Sequence, residues 1–344
     1  MPGGPQSLPD EVAPARIGRR AVQVFALVAA LILIAVLAPG LGDVRHLLTE
    51  AAPGWVALGV VFELLSCASY VLMFRPIFCR TMSWRTSWEI GGSELAAGSI
   101  IPASGAAGVA FGAWALSRGG MPADKIARRS VAFLLIKSSV NFFAVAIIGA
   151  LMAVGLLGPH RSLWLTAVPA ALAAAAIALV AAVPMLGPGT GPADEASKLT
   201  RAVSATRKAL VGGTAEAIEL TKQREPLVVV GAVGYWAWDN AVLWATFHAV
   251  GVTPPLTIIL MGYLIGQLGG LLPIPGGIGG IDGGLIGTLI VYGAPAAAAA
   301  AAVLLYRVIL FWIPLLTGGV AFVSLRKALA QDVRQDLCRP ALVE

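Results

Sequence analysis

Along the chain, uncharged apolar stretches alternate with short segments that hold nearly all the charge. A bilayer core takes about 20 apolar residues per helix, and helices fit at 21–41, 54–74, 130–157, 163–186, 227–250 and 296–323. Two further stretches, 87–117 and 256–293, are as apolar but are interrupted by Gly, Pro and Ser. Loop charge orients the set, because Lys and Arg accumulate on the cytoplasmic side. Arg16, Arg19 and Arg20 place the N-terminus inside, and Arg75, Arg80 and Arg85 bring the chain back inside after two crossings. The next basic cluster, Arg118, Lys125, Arg128 and Arg129, belongs on the same side. The 31 residues of 87–117 are too few for two full crossings, so they are expected to form a re-entrant hairpin. The basic residues of 187–225 and of the C-terminal tail are both placed inside only if 256–293 is a second hairpin, entered from the outside.

An internal repeat agrees with this. At an offset of 171, Gly98-Ser-Ile-Ile-Pro102-Ala-Ser-Gly105-Ala-Ala-Gly108 falls on Gly269-Gly-Leu-Leu-Pro273-Ile-Pro-Gly276-Gly-Ile-Gly279. The helix at 54–74 maps onto 227–250, and 130–157 onto 296–323. The expected fold is an all-α polytopic membrane protein of about six transmembrane helices plus two re-entrant broken hairpins in an inverted repeat, an architecture typical of transporters. Its expected parts are a cytoplasmic N-terminal tail (1–20), a first repeat half (21–186), a cytoplasmic linker (187–226), a second half (227–325) and a cytoplasmic C-terminal tail (326–344).

Composition strengthens the membrane reading. Hydrophobic residues make up 58% of the 344 and charged residues 12%, where soluble domains carry about 25% charged. So few charges cannot cover a water-soluble globule of this size, which excludes soluble enzymes and nucleic-acid binders; the net charge of +6 therefore reports topology. Cys67, Cys79 and Cys338 form no CxxC pair and are expected to be reduced packing residues. His46, His160 and His248 are too scattered for a metal site, and no HExxH, GxSxG or Walker A motif occurs. No cofactor is expected.

Candidate chemistry sits in the broken stretches and in the few intramembrane charges. Non-helical backbone at membrane depth is tolerated only where it is buried in protein or lines a cavity. Pro273-Ile-Pro275-Gly276-Gly277-Ile-Gly279 cannot be a continuous helix, since its prolines remove donors and its glycines favour other conformations. Freed amides beside a helix N-terminus form an anion site; a tip that only packs closely is the alternative. The paired copy supplies Pro102 and Gly105. Charges inside the spans are Glu63, Lys137, Asp239, Asp282 and Arg307, with Glu89 and Glu94 near the start of the first hairpin. Each marks a functional hypothesis. Lys137, near the expected start of its helix, has snorkelling as its competing explanation. Asp282 follows the glycine tip and is placed to pair with Arg307. Glu63 has no evident partner.

The block Pro273-x-Pro275-Gly276-Gly277-x-Gly279-x-x-Asp282, followed by Tyr306-Arg307 and Trp312-Ile-Pro314, resembles the flippase-like lysylphosphatidylglycerol synthase transmembrane family over roughly residues 20–325. In this chain Asp282 stands where that family usually has Glu, and Ala106 and Ala107 where its first hairpin usually carries polar residues. The resemblance implies a multi-pass bacterial inner (cell) membrane protein that moves a phospholipid or polyprenyl-linked lipid between leaflets. The expected ligand is a membrane lipid with an anionic headgroup, held by Pro102, Gly105, Lys137, Asp239, Pro273, Pro275, Gly276, Gly277, Gly279, Asp282 and Arg307. No nucleic-acid partner is expected, and the sequence leaves the oligomeric state open. An intramembrane enzyme or an accessory subunit modifying lipid headgroups is the alternative, with acids such as Asp282 and Asp239 as bases.

Overall fold

A computed structural model describes residues 41–100, 106–159, 161–187, 198–267 and 280–330. Every regular element among the described residues is helical. In chain order these are α1 (Gly42–Thr49), α2 (Pro53–Phe78), α3 (Trp84–Ile100), α4 (Ala106–Arg118), α5 (Ala123–Ala153) and α6 (Leu163–Ala182), which a 3-10 turn extends through Val183–Leu186. They continue with α7 (Lys198–Lys222), α8 (Pro226–Ala249), α9 (Leu256–Gly266), α10 (Gly280–Val291) and α11 (Ala296–Ala330). Five helices are long and apolar enough to cross a membrane: α2, α5, α6 with its 3-10 turn, α8 and α11. The sixth expected span, 21–41, lies outside the described residues except for Leu41 at its end.

Prolines and glycines set the boundaries. Pro53 and Pro226 open α2 and α8 in the first turn, where the missing N–H has no intrahelical partner to lose. Gly120 and Gly293 follow α4 and α10 at φ 85° and 97°, a left-handed conformation that ends a helix at least cost when no Cβ is present. The stretches 87–117 and 256–293 each form two short helices, α3/α4 and α9/α10, as the interrupted pattern predicts.

The four-element unit α2-α3-α4-α5 recurs as α8-α9-α10-α11, each start displaced by 172–174 residues. The two copies are inverted. The backbone N–H of Ala52, before α2, donates to the carbonyl of Ala249 at the end of α8, at 2.8 Å. At the opposite end, Arg80, just past α2, pairs with Glu225, just before α8. Midway, the Ser66 hydroxyl donates to the Tyr235 carbonyl at 3.3 Å. Helices α2 and α8 therefore lie antiparallel along each other and join the halves.

The hairpins stand on opposite ends of this axis. At one end, Ser324, late in α11, donates to Glu89 of α3 at 2.5 Å. There too Arg129, early in α5, donates to the carbonyl of Ile77 at the end of α2, at 2.7 Å. At the other end, the Tyr292 hydroxyl donates to the Leu165 carbonyl at 2.5 Å, Gly158 lies against Thr257, and Arg161 lies against Gly293. Each hairpin packs over its own apolar cluster. One is built on Tyr70, Phe74, Phe111 and Phe133, the other on Phe247, Ile259, Leu289 and Tyr306.

Three expectations need correction. The 187–225 linker is not simply a loop, because α7 occupies Lys198–Lys222. Its Val211, Thr214, Ala217 and Leu220 are buried, one face at helical spacing. Its Glu216 pairs with Arg128 (3.2 Å) and Arg129 (2.8 Å) of α5. Second, α5 starts at Ala123 rather than 130. Third, Cys67 is a free thiol, but Cys79 is disulfide-bonded.

Candidate functional site

Asp239 sits in the middle of α8, the helix that carries the junction between halves, and is 7% exposed. Tyr306 of α11 donates to its Oδ1 at 2.8 Å, and Tyr263 of α9 donates to its Oδ2. Both tyrosines are buried. A carboxylate withdrawn from water must have such donors, since an unpaired one costs several kcal/mol. Three elements of the second half thus converge on one carboxylate.

The first half builds the same triangle with the groups exchanged. Tyr70 of α2 donates to Glu94 Oε2 of α3 at 2.8 Å, and Lys137 of α5 lies within electrostatic reach of Glu94. Tyr70, Glu94 and Lys137 map onto Asp239, Tyr263 and Tyr306 at one uniform offset of 169. In one half the acid is on the hairpin arm and the tyrosine on the long helix; in the other this is reversed. Close packing holds Glu94 in place, because a Cβ at Gly112 of α4 would fall on its carboxylate.

Lys137 links the two triangles. Its ammonium lies 5.8 Å from the ring of Tyr70 and 5.6 Å from that of Tyr235, one tyrosine from each half, a cation–π arrangement. It interacts with both Glu94 and Asp239. Snorkelling is thereby overturned: with α5 starting at Ala123, Lys137 stands about 21 Å along the helix at 1.5 Å per residue, and its charge is directed inward.

Asp282, in the first turn of α10, accepts from Arg307 Nε of α11 at 2.6 Å, with side chains 17% and 25% exposed. The pairing read from the sequence is present. It lies directly after the 268–279 segment and within electrostatic reach of Asp239. Glu63 of α2 is 5% exposed and lies within electrostatic reach of Asp239 of α8.

Of the residues singled out from sequence, the structure brings Lys137, Asp239, Asp282 and Arg307 into one interior polar region. Pro102, Gly105, Pro273, Pro275, Gly276, Gly277 and Gly279 lie outside the described residues. Sequence reasoning passed over Tyr70, Tyr235 and Tyr263. The available signal was a shared spacing: acid and tyrosine stand 24 residues apart both in Tyr70–Glu94 and in Asp239–Tyr263. His248 packs against Trp55 and Trp244 with ring centroids 4.6 and 4.2 Å away, a structural use. Among the described residues no group of three or more His, Cys, Asp or Glu is arranged to hold a metal ion.

The family model described as "Lysylphosphatidylglycerol synthase TM region" matches residues 23–318, a span that takes in both hairpins and both triangles. The chain belongs to this family. It is a multi-pass membrane protein, and the family resemblance read from the second hairpin and Arg307 holds for nearly its whole length. A relative described as a "UPF0104 membrane protein", from Methanothermobacter thermautotrophicus, is 38% identical over 91 residues. That match spans 26% of this chain and 26% of the relative.

Proposed function

We propose that the protein moves a lipid with an anionic headgroup, a phospholipid or a polyprenyl-linked lipid, between the leaflets of a bacterial cell membrane. The observation that carries this reading is the Arg307–Asp282 pair, a partly accessible guanidinium held by an acid in the first turn of α10 within an inverted repeat. A guanidinium grips a phosphate through two parallel hydrogen bonds. A headgroup arriving at the second hairpin takes the place of Asp282 on Arg307, and the acyl chains stay in the bilayer. The antiparallel α2–α8 contact provides an axis about which the halves rock, so the headgroup passes from one hairpin's side to the other's. Family membership supports a role in lipid handling.

The test is translocation of a fluorescent phosphatidylglycerol in proteoliposomes, read as accessibility to an impermeant quencher. Wild type should expose inner-leaflet lipid faster than empty vesicles, and Arg307→Ala should remove that gain while remaining monodisperse in detergent. Wild-type vesicles indistinguishable from empty ones would refute the reading. Turnover of the headgroup instead of its movement would favour an enzyme.

A further inference from the structure

Glu63 has no role in that scheme, yet it is among the most deeply placed charges in the protein. It is 5% exposed. Its Oε2 has no hydrogen-bond partner among the described residues, and its Oε1 meets only the Cys67 thiol, at 3.8 Å. It lies within electrostatic reach of Asp239 of α8, on the helix pair that joins the halves. The other ionisable groups around this pair are Cys67 and Tyr70 on α2, Glu94 on α3, Lys137 on α5, Tyr235 on α8, Tyr263 on α9, and Tyr306 and Arg307 on α11.

The charge balance of this interior does not close. Among the described residues, Glu63, Glu94, Asp239 and Asp282 are opposed by Lys137 and Arg307. The segments 21–41, 101–105 and 268–279 contain no charged residue. Two neighbouring carboxylates in low dielectric repel each other, so a proton shared with the pair relieves the cost of burying both. Asp239 receives two hydroxyl donors and two cations lie near it; Glu63 has none of these.

We propose that Glu63, with Asp239, is the proton-binding site of the protein, and that a proton accompanies the anionic headgroup as its counter-charge. This rests on the lipid-translocation reading. A headgroup anion adds negative charge to an interior already in excess by two carboxylates, so its arrival is favoured when Glu63 binds H⁺ (RCOO⁻ + H⁺ → RCOOH) and its departure when that proton leaves. Glu63 and Asp239 stand on the two helices that carry the junction, so a proton bound by this pair acts directly on the contact between the halves.

Two measurements test this. Fluorescent phosphatidylglycerol translocation is followed with and without an imposed pH gradient, acidic on the side where the labelled lipid starts. Wild type should run several-fold faster with the gradient, and in Glu63→Gln the ratio of the two rates should fall to one. Infrared difference spectra of the purified protein between acidic and alkaline buffer should show a carboxylic-acid carbonyl band that Glu63→Gln removes or Asp239→Asn shifts. A wild type that translocates lipid with no gradient response and no such band would overturn the proton site and leave translocation standing. A band that Glu63→Gln removes, in a protein that moves no lipid, would support the proton site and sink the translocation reading. A band untouched by either substitution would overturn the site.

Discussion

Two tyrosine hydroxyls donate to the single carboxylate of Asp239, and each bond joins a different helix to α8. Hydrogen bonds to charged groups contribute about 1.5–3 kcal/mol, against about 0.5–1.5 for neutral pairs. Tyr306→Phe should therefore lower thermal stability in detergent more than Tyr292→Phe, whose hydroxyl donates to a backbone carbonyl. A Tyr306→Phe protein melting with wild type would show that the bond contributes nothing net. Lys137 and Arg307 should separate by readout. Lys137→Met strips Glu94 and Asp239 of a cation they share, and breaking such a buried pairing costs about 3 kcal/mol or more, so the melting temperature should fall. Arg307→Lys keeps a charge against Asp282 but loses the planar fork; lipid movement should drop with little change in melting. The opposite assignment of the two effects would remove Arg307 from the headgroup site.

At the scale of elements, the hairpins close through glycine faces placed on opposite arms. In the first, Gly108 and Gly112 of α4 meet α3, a Cβ at Gly108 lying 2.5 Å from the Glu94 carbonyl oxygen. In the second, Gly262 and Gly266 of α9 meet α10, a Cβ at Gly266 lying 2.6 Å from Leu285 Cα. Small residues let membrane helices approach backbone to backbone, and backbone atoms cannot yield as a flexible side chain does. Gly266→Ala should cost about 1–3 kcal/mol through overpacking, whereas Gly287→Ala, with nothing within 4 Å of its Cβ, should stay within about 0.5 kcal/mol of wild type. Unfolding in graded denaturant compares them, and equal stability of the two variants would refute the packing account.

For the whole molecule, the inverted repeat makes the two ends unlike. The end that carries the feet of α3 and α4 also bears Arg75, Arg80, Arg85, Arg118, Arg128 and Arg129, with α7 beside it; the end that carries the feet of α9 and α10 bears few charges. An excess of Lys and Arg faces the cytoplasm. Ser117→Cys, exposed at the basic end, should react with an impermeant maleimide only after cells are opened. Thr253→Cys, exposed at the other, should react in intact cells, each judged against the parent protein's own labelling. Labelling of Ser117→Cys from outside would reverse the orientation, and labelling of both from one side would break the inverted arrangement.

The period and length of apolar runs, and the places where Gly and Pro interrupt them, were enough to determine five of the spans, the two broken stretches and their repetition, because each is a local property of backbone geometry and bilayer thickness. The pairing of Asp282 with Arg307 was legible for a similar reason, two opposite charges in an apolar unit with few alternatives. The helical character of 198–222 was not, since its apolar face is short and its basic residues read equally well as a solvated loop. Nor was the polar interior. Which carboxylate meets which tyrosine depends on how α2 and α8 rotate as they lie antiparallel, and a rotation of one residue, about 100°, points a different side chain at the partner. Glu63 shows this most clearly. In the sequence it is one acid in an apolar helix; only the packing of one half against the inverted other sets it opposite Asp239, 176 positions away, where two burials in low dielectric become one shared problem of charge.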